Sequence, residues 1–473
     1  MTTHCTSFKL SCQTPGGARP GRIEADFSGG TLTSDAGLLL TWQAARRLDL
    51  FNRIAGCFED LRHPELVVHQ VDTLAGQRVL ALLQGYEDLN DHDELRKDPL
   101  LGAVLGCMEP GRSDCEPLAG KSTLNRLELS AGGGCPGKHR KIVADFEALD
   151  ELLVDLLAES FKTPPSDIVL DLDATDFELH GGQEEKFYHG YYREYCYLPA
   201  LVFCGSFPVL VRLRTAAKDP AAGMEEELQR LVKRIRRHWP ETHITLRTDS
   251  GYCREAVMAW CENTDNVDYV IGLARNARLK KRSARARRRS ANAAAAAGET
   301  VREFCEFGYR TKDSWSRRRR VICKAEALKG EWDETRGCFR CKDNARYIVT
   351  SLPRNTHDGK TLYEQFYCAR GDAENRVKDL KLDLFAERCS SNLFDANALR
   401  LYLSAFAHIL FLNLRRALHG TTLAACRPVT VCLRLLKIGA RVRISARRVH
   451  VAMSSAFPHQ RAFIHAWRSL APG

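Results

Sequence analysis

No uninterrupted apolar run in this chain approaches the roughly 20 residues needed to cross a bilayer. The most apolar stretch, 401–414, is broken by His408 and Asn413 and reads as a buried helix. The opening segment, Met1 to Leu10, has no apolar core, so nothing there reads as a secretory leader. Only one C-x-x-C pair occurs, Cys338-Phe-Arg-Cys341, with no second pair at finger spacing. Cys305 and Cys323 would have to complete a zinc site, which is weak ground for a finger. The 18 cysteines are otherwise scattered, and they read as reduced thiols of a cytosolic protein. No internal repeat marks the chain as an array.

What is present is length and positive charge. At 473 residues the chain is long for a single core, so several domains are expected. The formal net charge of +11 favours an acidic partner, and nucleic acid is the commonest one.

The first 162 residues read as mostly helical. Thr33-Ser34-Asp35 supplies N-cap residue types before Ala-Gly-Leu-Leu-Leu, and a helix is expected to about Leu48. Further helices are expected near 64–84 and 91–105. Ser122 or Thr123 can cap a short helix bearing Lys121, Asn125 and Arg126, a candidate DNA-reading helix. After Gly132-Gly-Gly134 a helix is expected over about 138–161, and Thr163-Pro-Pro165 reads as a linker.

Beyond the linker the pattern becomes strand-like. Ile168-Val-Leu-Asp-Leu-Asp173, Leu198–Cys204 and Pro208–Arg214 read as three strands. A basic amphipathic helix (224–239), a strand ending at Asp249, a helix (253–262) and a strand (267–273) follow. This β-β-β-α-β-α-β order is that of the ribonuclease-H-like fold, in which strands one and four lie side by side. The Arg- and Lys-dense stretch 278–290 and the alanine run 293–297 read as a solvated arm or a phosphate grip. They open a mostly β insertion over about 276–355. The expected organisation is therefore a helical DNA-binding domain (1–162), an α/β catalytic core with that insertion (163–390), and a basic helical extension (391–473).

Within 361–383, Tyr367, Arg370, Glu374 and Lys381 are spaced by three, four and seven residues. On a regular helix this spacing lines an aromatic hydroxyl, a guanidinium, a carboxylate and an ammonium along one stripe. One acid among phosphate-binding groups suits a metal-dependent enzyme acting on a phosphodiester, but partner acids are required. Two strands end in carboxylates. The first offers Asp171, Asp173 and, just beyond, Asp176, and the second offers Asp249. Asp171 and Asp173 share a strand face, so periodicity cannot choose between them. Acids at the carboxyl ends of neighbouring strands can share a hard cation, although a strand-end Asp also caps turns.

The stretch Tyr367-x-x-Arg370-x-x-x-Glu374-x-x-x-x-x-x-Lys381 resembles the YREK signature of cut-and-paste insertion-sequence transposases of the DDE type. Asp173-Ala-Thr175 resembles the Asp-x-Thr at that family's first acid, which favours Asp173 over Asp171. Thr248-Asp-Ser-Gly-Tyr252 resembles the second-acid strand end, and Tyr269-Val-Ile-Gly-Leu273 the strand after it. With Ser34–Leu39, Gly85–His92, Ser122–Arg126 and Tyr195–Pro199, the text is similar to the transposase DDE domain, group 1 type, along nearly its whole length. The segment 278–297 departs from that pattern.

The resemblance implies a catalytic and metal-holding triad of Asp173, Asp249 and Glu374, converging within metal-bridging reach of two Mg²⁺ or Mn²⁺ ions. Tyr367, Arg370 and Lys381 would bind phosphates near the cut. The partners implied are double-stranded DNA (terminal inverted repeats and target) and a second copy of the chain, in a bacterial cytoplasm at the nucleoid. The rival readings are a metal-dependent nuclease or resolvase that cleaves without joining, and a DNA-binding protein that has lost its chemistry.

Overall fold

The computed structural model describes residues 10–12, 23–107, 118–129, 141–335 and 337–471, which form two compact units. One comprises Arg53–Arg62 and Leu127–Leu412; the other comprises Met1–Asn52, His63–Arg126 and Asn413–Gly473.

The first unit is built on one large mixed sheet. In chain order its elements begin with α1 (Phe146–Glu159), started by Asp145, whose carboxylate accepts from the Glu147 and Ala148 amides. Then come β1 (Asp167–Ala174), β2 (Ala200–Cys204) and β3 (Phe207–Arg212). They are followed by α2 (Met224–His238), β4 (His243–Thr248), α3 (Glu255–Glu262) and β5 (Val267–Leu273). The expected alternation of these seven elements from β1 to β5 is present. The sheet runs β3-β2-β1-β4-β5, with β1, β4 and β5 mutually parallel and β2 and β3 antiparallel. The first and fourth strands of the series are therefore neighbours. A central parallel strand is covered on both faces, so β1 buries Ile168, Leu170 and Leu172 together with Asp171.

The segment after β5 corrects one expectation. The Arg- and Ala-rich stretch is not an irregular arm, although most of its basic side chains are exposed. It folds as a short helix, Ala277–Arg282, capped by the Asn276 side chain, and then as α4 (Ala284–Ala297). Alanine is the strongest helix former, and Ala286, Ser290 and Ala294, four residues apart, make a buried face. That face packs on β6 (Val301–Tyr309) and β7 (Arg319–Leu328). Two of its four arginines are engaged locally, Arg287 with Asp343 at 2.6 Å and Arg289 with Glu303 at 2.9 Å. β6, β7 and β8 (Arg346–Thr350) extend the sheet in the order β5-β8-β7-β6, all antiparallel. Cys305 and Cys323 face each other across β6 and β7, and all four candidate zinc thiols are free. Among the described residues no cluster of three His, Cys, Asp or Glu side chains could hold a metal ion. α5 (Gly371–Lys378) lies on β1 and β2, and α6 (Phe394–Ala417) is the expected long apolar helix.

A buried ion cluster joins four of these elements. Asp150 of α1 is 1% exposed. Its carboxylate meets Arg212 of β3 at 2.7 Å, Arg234 of α2 at 3.3 Å and the Tyr402 hydroxyl of α6 at 2.5 Å.

In the other unit, the helix expected from Asp35 is Leu38–Arg47, but Gly37 precedes it and Asp35 does not cap it. A Cβ at Gly37 would lie 2.2 Å from the Leu436 backbone, so only glycine admits the C-terminal segment there. Asp35 instead accepts from Tyr86 and pairs with Lys437, each at 2.7 Å. The helix expected over 64–84 is reduced to Val71–Leu83 after a single turn at Pro64–Leu66. The helix expected over 91–105 is split at Pro99, with Asp98 capping the second piece, because proline disfavours helical backbone before it. The helix Lys121–Leu129 begins ahead of the expected caps Ser122 and Thr123. Ala440–Ile444 and Val449–Met453 form a hairpin that is extended by Leu32–Thr33. Residues 132–134 and the expected helix start at 138 lie outside the described residues.

Replacing Asp150 with Ala takes the carboxylate from Arg234 and leaves Arg212 with Glu227. It is expected to cost about 3–5 kcal/mol, against about 1 kcal/mol for Tyr402→Phe, which removes one hydrogen bond. Urea midpoints of the full chain compare the two; equal losses would show that the ion cluster contributes little.

Candidate active site

β1 and β4 are paired so that Asp171 stands opposite Arg247. The pair is buried and two-pronged, at 2.5 and 2.8 Å. Asp171 is thereby committed to the sheet, and of the two carboxylates that periodicity left open, Asp173 is the one at the strand end. Arg247 Nη1 also donates to the Phe366 carbonyl, and its guanidinium lies 5.2 Å from the Phe366 ring centre. One arginine thus holds strand register and the segment that carries Tyr367 and Arg370.

That segment is helical throughout but irregular. A π-helical stretch (Leu362–Tyr367) passes through a 3₁₀ turn (Cys368–Arg370) into α5, and a second π-helical stretch (Asp379–Asp383) follows. Each change of helix type shifts the phase of later side chains, so the single stripe expected from the spacing divides. Arg370 and Glu374 stay together at 2.7 Å, and Arg370 reaches Asp173 at 3.0 Å. Lys381 lies past the second irregularity and pairs instead with Asp176 at 3.0 Å and Glu387 at 3.6 Å.

Tyr367 packs its ring on a core of Val270, Ile322, Ile348, Leu352, Leu362 and Tyr363. Its hydroxyl rests against β5, where a Cβ on Gly272 would come within 2.5 Å of it and 2.9 Å of the Ser250 amide. Burial raises the Tyr367 phenol above its ordinary range; Arg370 opposes the rise and Asp249 adds to it. Asp249 caps the turn after β4, accepting from the Gly251 amide at 2.8 Å, as a strand-end Asp can. Tyr252, in the same turn, is buried, and among the described residues its hydroxyl has no hydrogen-bond partner.

Asp173 is pushed up to about 6, first by burial, with Arg370 opposing and with Asp249 and Glu374 adding repulsion. The three acids of the triad therefore share one electrostatic neighbourhood. The donor set is all carboxylate oxygen, the chemistry that Mg²⁺ or Mn²⁺ takes. A positive guanidinium spans Asp173 and Glu374, and among the described residues these acids do not gather with a third into a group placed to hold a metal ion. Arg126 is exposed on the helix Lys121–Leu129, in the other unit. A separate cleft of about 610 Å³ is lined by Arg317, Arg318, Arg319, Arg320 and Arg354, with Glu262 and Glu306 among them, and none of the triad acids lines it.

Three contributors were not singled out from sequence. Gly272 was signalled by a glycine inside an apolar strand. Arg247 was signalled by a charge in a buried strand pattern, two residues before an acid. Asp176 was noted only as an acid beyond the first strand, and its partner Lys381 comes from 205 residues away.

Between about pH 4 and 6 the folded metal-free protein keeps a proton on Asp173 that the unfolded chain has released. Asp173 therefore lowers stability as pH rises through that window, by an amount on the order of 3 kcal/mol. In chelator, Asp173→Asn is expected to flatten this part of the stability–pH curve. Parallel curves for the two proteins would contradict the assignment.

No curated protein matches the chain. Among solved structures, it is similar to the "Cryo-EM structure of piggyBac transposase synaptic complex with hairpin DNA (SNHP)". The TM-score is 0.41 at 11% identity, over 86% of this chain and 80% of that one, and at that score the likeness carries no weight here. The model of a single family, transposase DDE domain group 1, matches residues 17–472. Spanning nearly the whole chain, that match makes this chain a member of the group 1 DDE-domain transposases.

Proposed function

We propose that this chain performs cut-and-paste transposition of an insertion sequence on a ribonuclease-H-like core, with Asp173, Asp249 and Glu374 as the catalytic acids. The observation that carries the reading is the placement of Asp173 and Asp249 at the carboxyl ends of adjacent parallel strands, with Glu374 drawn to Asp173 through Arg370. The strand order β3-β2-β1-β4-β5 supports the core assignment. The excess of positive charge supports a DNA partner.

Asp173, Asp249 and Glu374 would hold divalent ions, Mg²⁺ or Mn²⁺, which supply Lewis acidity and a water that is easily deprotonated. Arg370 must leave the carboxylates that it now spans. Its released guanidinium then suits a phosphate oxygen, since a planar fork binds phosphate in two-pronged fashion. The Tyr367 hydroxyl, held against Gly272, would orient a second phosphate contact, and Lys381 would take another beside Asp176. Water attacks the phosphodiester at the element's end, the bridging P–O bond breaks, and a 3′-hydroxyl leaves. That hydroxyl attacks a further phosphodiester, in the opposite strand (closing a hairpin) or in target DNA; a new P–O bond forms as the P–O3′ bond already there breaks and a second 3′-hydroxyl leaves with the proton. Two ends cut together would call for two copies of the chain on DNA, with Arg126 among the end-binding residues.

The test uses full-length protein and labelled DNA from either side of its gene. Cleavage dependent on Mg²⁺, followed by joining to a second duplex, is expected. Cleavage without joining would replace transposase with nuclease. Asp249→Ala is expected to lower cleavage by more than roughly a hundredfold, since losing even a group that only supports a metal ligand costs 10–100-fold. Unchanged metal-dependent cleavage in that variant would remove Asp249 from the site.

Gly371 opens α5, and a Cβ there meets nothing within 4 Å. Gly371→Ala is therefore expected to stabilise the helix by about 1 kcal/mol while slowing cleavage, because DNA passes over that face. A raised melting temperature with unchanged cleavage would place the DNA elsewhere.

A further inference from the structure

Between β1 and β2 the chain forms a small three-stranded sheet: Phe177–Glu178, Glu194–Tyr197 and Phe187–His189. Its base is fixed. Cys196 and Tyr197 are buried, Tyr197 Oη donates to the Glu184 carbonyl at 2.5 Å, and Thr215 Oγ1 donates to the Glu185 carbonyl at 2.7 Å. Its outer part breaks the usual rule for surfaces. Of the seven large aromatic side chains exposed among the described residues, four (Phe187, Tyr188, Tyr191 and Tyr195) lie on this one hairpin. Tyr191 at the tip is 83% exposed. Tyr188 and Tyr195 are cross-strand partners, so their rings share a face, edge to face at 5.5 Å. Lys186 Nζ lies 5.1 Å from the Tyr195 ring centre, and Tyr191 meets Tyr192 edge to face at 5.1 Å.

The tip also leans toward the acids. Tyr192 packs on Cys196, Leu198 and Ala216, beside Ala174, the residue next to Asp173. The chain that enters the hairpin is the one leaving Asp173 through Asp176. Rings held this way on a pinned frame contribute little to the core, and their placement calls for a ligand with flat faces.

We propose that the hairpin 186–195 is a stacking platform for one or two nucleobases unpaired beside the scissile phosphate. The inference rests on the transposase reading and names where the displaced bases go. The hairpin carries little net charge: Lys186 and Arg193 stand against Glu194. A ring-rich surface of low charge suits base faces rather than the phosphate backbone. Every base has such a face, so stacking of this kind tolerates any sequence. Rings separated by polar tips offer too little continuous apolar area for a stable dimer contact.

The experiment measures binding of the full-length chain, in chelator, to two labelled duplexes of equal length. One is fully paired and the other ends in four unpaired thymidines. The wild type is expected to prefer the forked duplex. Tyr191→Ala with Tyr195→Ala is expected to weaken forked binding about tenfold or more, to leave paired binding within twofold, and to keep the melting temperature. Tyr191→Phe with Tyr195→Phe keeps the preference, because stacking needs the ring and not the hydroxyl. No preference in the wild type, equal losses on both duplexes, or a change in DNA-free oligomeric state in the Ala variant would each overturn the proposal. Metal-dependent end cleavage by the wild type reports on the parent reading separately: cleavage without fork preference removes the platform alone, and fork preference without cleavage removes the transposase chemistry alone.

Discussion

The Asp171–Arg247 pair is the constraint on which the site depends. It joins β1 to β4 at opposed positions, one pleat before each strand delivers its candidate acid. A one-residue slip between these strands would turn Asp173 or Asp249 to the wrong face. A buried ion pair is a poor source of net stability, because desolvation of both ions offsets most of their attraction. Its value lies in register, since any other alignment leaves a charge buried without a partner. Arg247 extends the constraint beyond the sheet by donating to the Phe366 carbonyl, which ties down the backbone immediately before Tyr367. Strand ends and helix segment are therefore positioned from a single guanidinium.

Above that pair the electrostatics reverse. Asp171 is matched by a cation held in place, whereas Asp173 is largely buried, near two other acids, and eased only by Arg370 and by the Ala174 amide that donates to it at 3.0 Å. Burial and like charge both favour a proton on Asp173, and its elevation to about 6 is the measure of that strain. Arg370 relieves two acids at once, at 3.0 and 2.7 Å, and a group able to bind both is also able to give both up to a stronger cation. The same residue type thus plays two parts a few ångströms apart: a locked arginine sets geometry, and an arginine on an irregular helix answers to whatever charge arrives.

How much of this could be read from sequence follows from what each pattern encodes. The five strands β1 to β5 and the two helices α2 and α3 were legible because buried strands are continuous apolar runs, and the amphipathic helices between them have a different period. The arginine and alanine stretch was misread because charge density was weighed above alanine's helix propensity and the four-residue spacing of its small residues. Asp35 was read as a cap from local chemistry, but Tyr86 and Lys437, distant in sequence, claimed its carboxylate. The hairpin 186–195 was invisible because its strands are three and four residues long, too short for alternation to register.

The division of the Tyr367–Lys381 stripe has a different cause, and it bears on the site itself. Spacing arguments assume a uniform helix, and this helix changes type wherever it nears the acids. A regular helix across 362–383 would align all four side chains on one face, and the lysine would then crowd the same carboxylates as Arg370. The two π-helical stretches instead hand Lys381 to Asp176 and leave Arg370 alone with Asp173 and Glu374. π-helical turns are uncommon and concentrate at functional sites. Here they accompany a strand glycine seated under a tyrosine hydroxyl and a buried phenol with no partner among the described residues. Local rules are broken together, within one neighbourhood, while the sheet beneath obeys them. That concentration marks the carboxyl ends of β1 and β4, rather than the arginine-lined cleft, as the part of the fold shaped for chemistry.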